Sequence, residues 1–172
     1  DPDKMERLIR EHFSDLPKRA DSREVPRYDV PGHEQTLVSV VSDKEATSSS
    51  VAILCKRSRR PETHVSASRD GLKAELFSAM LNARFEEIAH RASPPFLNAF
   101  AGSFQFTRGT NLYFVQANVK DGKQPQALEA LLEETARVRS HGFLAAELER
   151  AKKEQVAELQ RQYAERDKTE SR

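Results

Sequence analysis

The 172-residue sequence contains no tryptophan, a single cysteine, six glycines and no long apolar run. Each scarcity removes a class of protein. With Cys55 alone there is neither an internal disulfide nor a thiolate metal cluster, and its place in Val51-Ala52-Ile53-Leu54-Cys55 says nothing about compartment. No stretch approaches the roughly 20 apolar residues that a membrane-spanning helix requires. Excess charge is also lacking. Lys plus Arg number 28 against 27 Asp plus Glu, a net charge of +1, so no global field draws the chain to nucleic acid or anionic lipid. What remains is a polar chain, 32% charged and 37% hydrophobic, long enough to bury one core without staples.

Asp1-Pro2 reads as a helix start, with a side-chain acceptor before a residue that needs no N–H partner. Met5, Leu8, Ile9 and Phe13 follow at helical spacing, which predicts a buried stripe ending near Leu16-Pro17. Residues 18–35, with Pro26, Pro31 and Gly32, read as an extended connector. Leu37–Val41 and Val51–Cys55 are β-branched runs separated by a turn-like polar stretch, and both are predicted to be strands. After Arg59-Arg60-Pro61, Leu72, Leu76, Met80, Phe77, Leu81, Phe85 and Ile88 predict a long helix packed on a sheet and ended by Ser93-Pro94-Pro95. Phe100, Gly102, Phe104 and Phe106 alternate ahead of Arg108-Gly109-Thr110, and Leu112 to Val119 completes a hairpin. Two helices close the chain. One spans about Pro125 to Ser140, with Leu128, Leu131, Leu132 and Val138 inward and Gly142 as its cap; the other begins near Leu144 and carries Leu148, Val156, Leu159 and Tyr163.

The order of elements gives an α+β fold, a two-layer sandwich of mostly antiparallel sheet covered by helices on one face, taken as one domain over 1–172. Phe104, Phe106, Phe114, Leu76, Met80 and Leu132 are expected to share its core. The helix opening at the first residue, and a last helix running unstopped into Asp167-Lys168-Thr169-Glu170, read as a segment of a larger polypeptide.

The candidate chemistry is sparse. The histidines are His12, His33, His64, His90 and His141, and no two lie three to five residues apart, the spacing a helical or finger-type zinc site needs. Glu86, Glu87 and His90 share a helical stretch, but a carboxylate-bridged iron bundle needs a second copy of that set, so they read as a solvated face. His33-Glu34 in the connector supplies too few donors for catalytic zinc. Ser48-Ser49-Ser50 lacks a nucleophile elbow and reads as a turn. Lys56-Arg57-Ser58-Arg59-Arg60 is the one dense basic run, without interleaved aromatics, and reads as a solvated strand end; as a phosphate- or nucleic-acid-binding module it would show salt-dependent oligonucleotide binding, which is not expected. Glu147, Arg150, Glu154, Glu158 and Arg161 read as an exposed, mixed-charge helix. No catalytic, cofactor-binding or metal-ligating residue is therefore assigned.

Several stretches carry a resemblance. They are Asp1 to Ile9 with Phe13-Ser14-Asp15-Leu16-Pro17, then Asp43-Lys44-Glu45-Ala46-Thr47, Leu76 to Phe85, and Gly142 to Lys152. In order and spacing, over essentially the whole chain, the sequence resembles the insulinase/pitrilysin family of zinc peptidases, specifically the non-catalytic domain that follows the zinc-binding one. The resemblance implies two similar halves closing like a clamshell around an unfolded peptide, with zinc in the preceding domain and H-x-x-E-H supplying the general base. That motif is absent from this sequence. The family's opposite half offers an Arg followed seven residues later by a Tyr; here Arg91 is followed at that spacing by Asn98, so the role is not carried over. The implied partners are the preceding zinc domain, the second half or a partner subunit, and peptide substrate through the parent. The implied role is to shore up the zinc domain and form chamber wall, and likeness to large exported peptidases implies a bacterial periplasm or envelope. The competing reading is a domain of a catalytically inactive processing or assembly subunit of the same fold.

Overall fold

The structure is a computed structural model that describes residues 1–17, 23–26, 28, 30–59, 65–166 and 168. Among these residues the order is α1 (Pro2–Phe13), β1 (Ser49–Ser58), α2 (Val65–Ala89), β2 (Asn98–Gln105), β3 (Thr110–Val119), α3 (Gln124–His141) and α4 (Ala145–Glu165). The three strands form one antiparallel sheet in the order β1-β3-β2. Val115 sits centrally, opposite Ile53 on one side and Ala101 on the other.

Strand alternation assigns each residue to one of two faces. The face beneath the helices carries Val51, Ile53, Ala99, Ala101, Tyr113, Val115, Ala117 and Val119. These meet Leu81, Phe85 and Ile88 of α2, Phe96, and Ala127, Leu131 and Val138 of α3. Phe85, Leu81 and Leu131 are the largest side chains fully withdrawn from water. Small alanines at 99, 101 and 117 let the helices approach the sheet closely. Asn82 then fixes α2 over the β2 edge: its amide donates to the Ala101 carbonyl at 3.1 Å, and its oxygen accepts from the Ala101 N–H at 2.6 Å.

The opposite face carries no helix among the described residues, although Leu112 on it is buried and Lys56 reaches the Pro31 carbonyl there. It holds Phe114 between Phe100 and Phe104, with ring centroids 5.6 and 5.8 Å away, and Gly102 lies beneath the Phe114 ring, which a Cβ there would meet at 3.2 Å. The expected core is thereby corrected. Met80 is buried, but Phe104, Phe106 and Leu132 are 47, 56 and 51% exposed. Alternation shows that the phenylalanines share a face; it does not show that the helices sit on the other one.

Two further expectations change. The apolar stripe of α1 is present, with Asp1 capping the Asp3 N–H at 3.1 Å, yet none of the helix is buried among the described residues. Leu37–Val41 is not a strand; its four large side chains are 71–90% exposed. The last helix has the expected start, and Val156, Leu159 and Tyr163 lie open on it. The hairpin, α2, α3 and the Gly142 cap stand as expected, Gly142 adopting φ +69° and donating to the Val138 carbonyl at 2.8 Å.

The division into two faces predicts an ordering of stabilities. In urea unfolding of the chain, Leu131→Ala should cost about 2–5 kcal/mol, whereas Phe104→Ala should cost about 1–2 kcal/mol; equal losses would place the core on the wrong face.

Candidate functional site

The most concentrated polar chemistry lies where α2, α3 and α4 converge. Arg84 sits on the same helical line as Met80 and Ile88, so the stripe that buries them draws its guanidinium inward. Its Nε and Nη2 donate to both carboxylate oxygens of Glu147 at 2.7 and 2.9 Å. Nη1 donates to Glu134 at 3.0 Å, and Nη2 also reaches the Gly142 carbonyl at 3.2 Å. The guanidinium carbon stands 4.9 Å from the centre of the Phe143 ring. Phe143 packs edge-on to Phe77 at 5.4 Å, and Phe77 to Tyr113 at 6.4 Å, so one line of contacts runs from the sheet to the α3–α4 corner.

Glu147 also accepts the Leu144 N–H at 2.6 Å, satisfying a donor at the start of α4. Hydrogen bonding to Arg84 is the main cause that holds its pKa down, to about 2 against an ordinary 4.5, and the Leu144 N–H adds to it against the opposing effect of burial. Arg84 is held correspondingly upward, first by its bond to Glu147, against desolvation. Arg137 lies 3.6 Å from the second oxygen of Glu134. A permanently charged fork with its carboxylates neutralised is suited to holding helices together; it leaves no free base or acid poised for catalysis. The sequence placed Glu147 on an exposed mixed-charge face, and the structure corrects this, since its carboxylate is turned inward onto Arg84. An Arg inside an apolar stripe, with a Glu three residues beyond Leu144, was the available signal. The outer part of α4 does show surface pairing, between Arg161 and Glu158.

The sequence candidates are dispersed. His12 lies exposed on α1. The Nδ1 of His33 is 2.6 Å from the Gln35 carbonyl. His90 directs Nδ1 to the Glu86 carbonyl at 2.8 Å, leaving Glu86, Glu87 and His90 around an open groove with Arg150 and Glu154. His141 ends α3 beside Arg91 and Arg137. Asn98 accepts from the Asn118 side chain at 2.8 Å. Ser49 and Ser50 begin β1, Ser49 donating to Asp121 at 2.5 Å. His64, Arg60, Asp167, Thr169 and Glu170 lie outside the described residues. The basic run is split by strand alternation: Lys56 reaches the Pro31 carbonyl at 2.6 Å, while Arg57 points to the other face, 5.1 Å from the Tyr113 ring centre. No phosphate-binding cluster results among these side chains.

The described residues form an α+β unit, a three-stranded antiparallel sheet with helices on one face and an internal arginine clamp. The family described as the Peptidase M16 inactive domain matches residues 1–155. The chain belongs to that family, the non-catalytic domain of the insulinase/pitrilysin zinc peptidases. It is 31% identical over 164 residues to a zinc protease PQQL-like protein of Arabidopsis thaliana, covering 95% of this chain and 14% of that relative. Its fold matches the crystal structure of the periplasmic protease PqqL from Escherichia coli with a TM-score of 0.81 at 20% identity, over 99% of this chain and 19% of PqqL. The first half of PqqL, solved separately, matches with a TM-score of 0.80 over 99% of this chain and 36% of that half. The chain therefore spans a small part of the relatives it matches.

Zinc in this family asks for several convergent nitrogen and oxygen donors. The described residues bring together no group of three His, Cys, Asp or Glu side chains that could hold a metal ion, so the described residues do not fit zinc.

The clamp carries a pH signature. Because the folded pKa of Glu147 lies below its unfolded value, the ion pair's contribution is complete above about pH 4.5 and fades as pH falls toward 2. Glu147→Gln should therefore lower stability by on the order of 2 kcal/mol at pH 7. The difference from wild type should close between about pH 4.5 and 2 in parallel denaturant titrations; a gap that stays constant over that range would remove the charged clamp.

Proposed function

We propose that residues 1–172 form one non-catalytic domain of a larger zinc metalloendopeptidase that degrades peptides in a clamshell chamber, with 18–35 as its connector. The zinc and general base belong to the preceding domain, and this domain supplies packing surface and chamber wall. The observation that carries the reading is membership over residues 1–155 in a family described as inactive within a peptidase group. The 31% identity to a zinc protease PQQL-like protein supports zinc in the parent. The phenylalanine face, which carries no helix among the described residues, and the open stripe of α1 support a domain built to be enclosed by more protein, since contiguous apolar surface of this kind marks interaction sites. Likeness in fold to PqqL supports a periplasmic location for the parent. Peptide substrate is reached only through that parent, and the segment is inactive alone.

The test uses the intact parent protein. Replacing His33, His90 and His141 together with alanine should leave its zinc content and its kcat on a denatured peptide within about twofold of wild type, because these side chains make no transition-state contact. Loss of zinc with these residues would put the metal in this domain. A parent without any zinc before mutation would instead favour the inactive-subunit reading.

A further inference from the structure

Two segments of this chain are made for burial and find none in it. In α1, Met5, Ile9 and Phe13 stand four residues apart on one face and are 59, 54 and 60% exposed. A helix of this length is marginal in water unless its apolar face packs on something. Residues 36–42 contain no charge. In an extended chain Leu37 and Val41 project to one side and Val38 and Val40 to the other, the pattern of a strand covered on both faces. Those four side chains are 71, 89, 84 and 90% exposed respectively, and no backbone hydrogen bond joins 36–42 to another described segment.

The sheet of this chain is a poor partner for that strand. Its β2 edge is closed at Ala101, where both outward backbone groups are taken by Asn82. Near its β1 edge the chain around Pro31 is tied to Lys56 at 2.6 Å. A second copy would offer the same two edges. The fold match to the first half of PqqL covers 99% of this chain, so it includes α1 and 36–42, yet it accounts for only 36% of that half. Most of such a half is thus polypeptide from outside this unit, available to cover them.

We infer that residues 36–42 add as an interior strand to the β-sheet of a neighbouring domain in the same half of the parent protein, with the Met5–Ile9–Phe13 face of α1 packed on that domain. The inference rests on the parent being a larger protein of this family, but not on its binding zinc. The two segments lock the domains together: removing a strand flanked by paired backbone would leave the neighbour's hydrogen bonds open, a stronger tether than side-chain contact alone.

Hydrogen–deuterium exchange on the intact parent tests this. Amides in peptides covering 36–42 should exchange at least about a hundredfold more slowly than unstructured chain, at any protein concentration. In a Val38→Asp/Val40→Asp parent, peptides covering 36–42, α1 and a strand of the neighbouring domain should all speed up, while those covering Leu81–Ile88 and β3 stay as in wild type. Fast exchange of 36–42 in the wild-type parent would overturn the inference, as would protection lost on dilution, which would assign the strand to a second copy. Protection indifferent to the double substitution would equally rule out an interior strand. The zinc content of the same sample reports separately on the proposed function.

Discussion

The guanidinium of Arg84 lies where three helices meet, and their arrangement over the sheet depends on it. It binds Glu147 with two parallel hydrogen bonds, neutralises the buried Glu134 and covers the Phe143 ring. Glu134 is only 4% exposed, so removing Arg84 would leave a carboxylate in low dielectric with only the more distant Arg137, a far larger loss than the pair's own net gain. A lysine could not replace it, since a point charge cannot span two carboxylates and a carbonyl in one plane. The clamp ties α2 to α3, to the Gly142 corner and to α4, and Asn82 fixes the same helix over the sheet edge.

With the helical layer committed to one side, the rest of the molecule follows. The other sheet face keeps its aromatic cluster open, and α1 projects an apolar stripe that nothing among the described residues covers. Among the described residues, the polar groups considered as candidates are engaged in structural bonds or spread over the surface. His33 and His90 hydrogen-bond nearby carbonyls, and the basic run is divided between two faces. These open apolar surfaces are what support the proposed place of the chain within a larger protein.

Much of this was legible in the sequence. The Asp1 cap, the 3.6-residue stripe of α2, the alternating hairpin and Gly142 each follow from local stereochemistry, which a single segment carries by itself. The face that the sheet buries was not legible, because Phe100, Phe104 and Phe114 obey the same period as Ala99, Ala101 and Val115, and only the helices decide between them. Leu37–Val41 has the composition of a strand, but a strand exists only with a partner. The same holds for α1, whose stripe is correct in spacing and has no opposing surface within these residues. Arg84 and Glu147 are 63 positions apart in sequence, and charge alone placed Glu147 on the surface. That no catalytic residue could be assigned followed from histidine spacing, a property that needs no tertiary information.

The claim at the centre is that this domain contributes shape and contact while the chemistry lies elsewhere in the parent. Peptide hydrolysis and tightly bound zinc, measured for the 172-residue chain alone and for the same chain joined to the domain that precedes it in the parent, test that most directly. The account expects neither turnover nor bound zinc from the chain alone, and zinc with the joined protein. Zinc-dependent turnover by the isolated chain would contradict it.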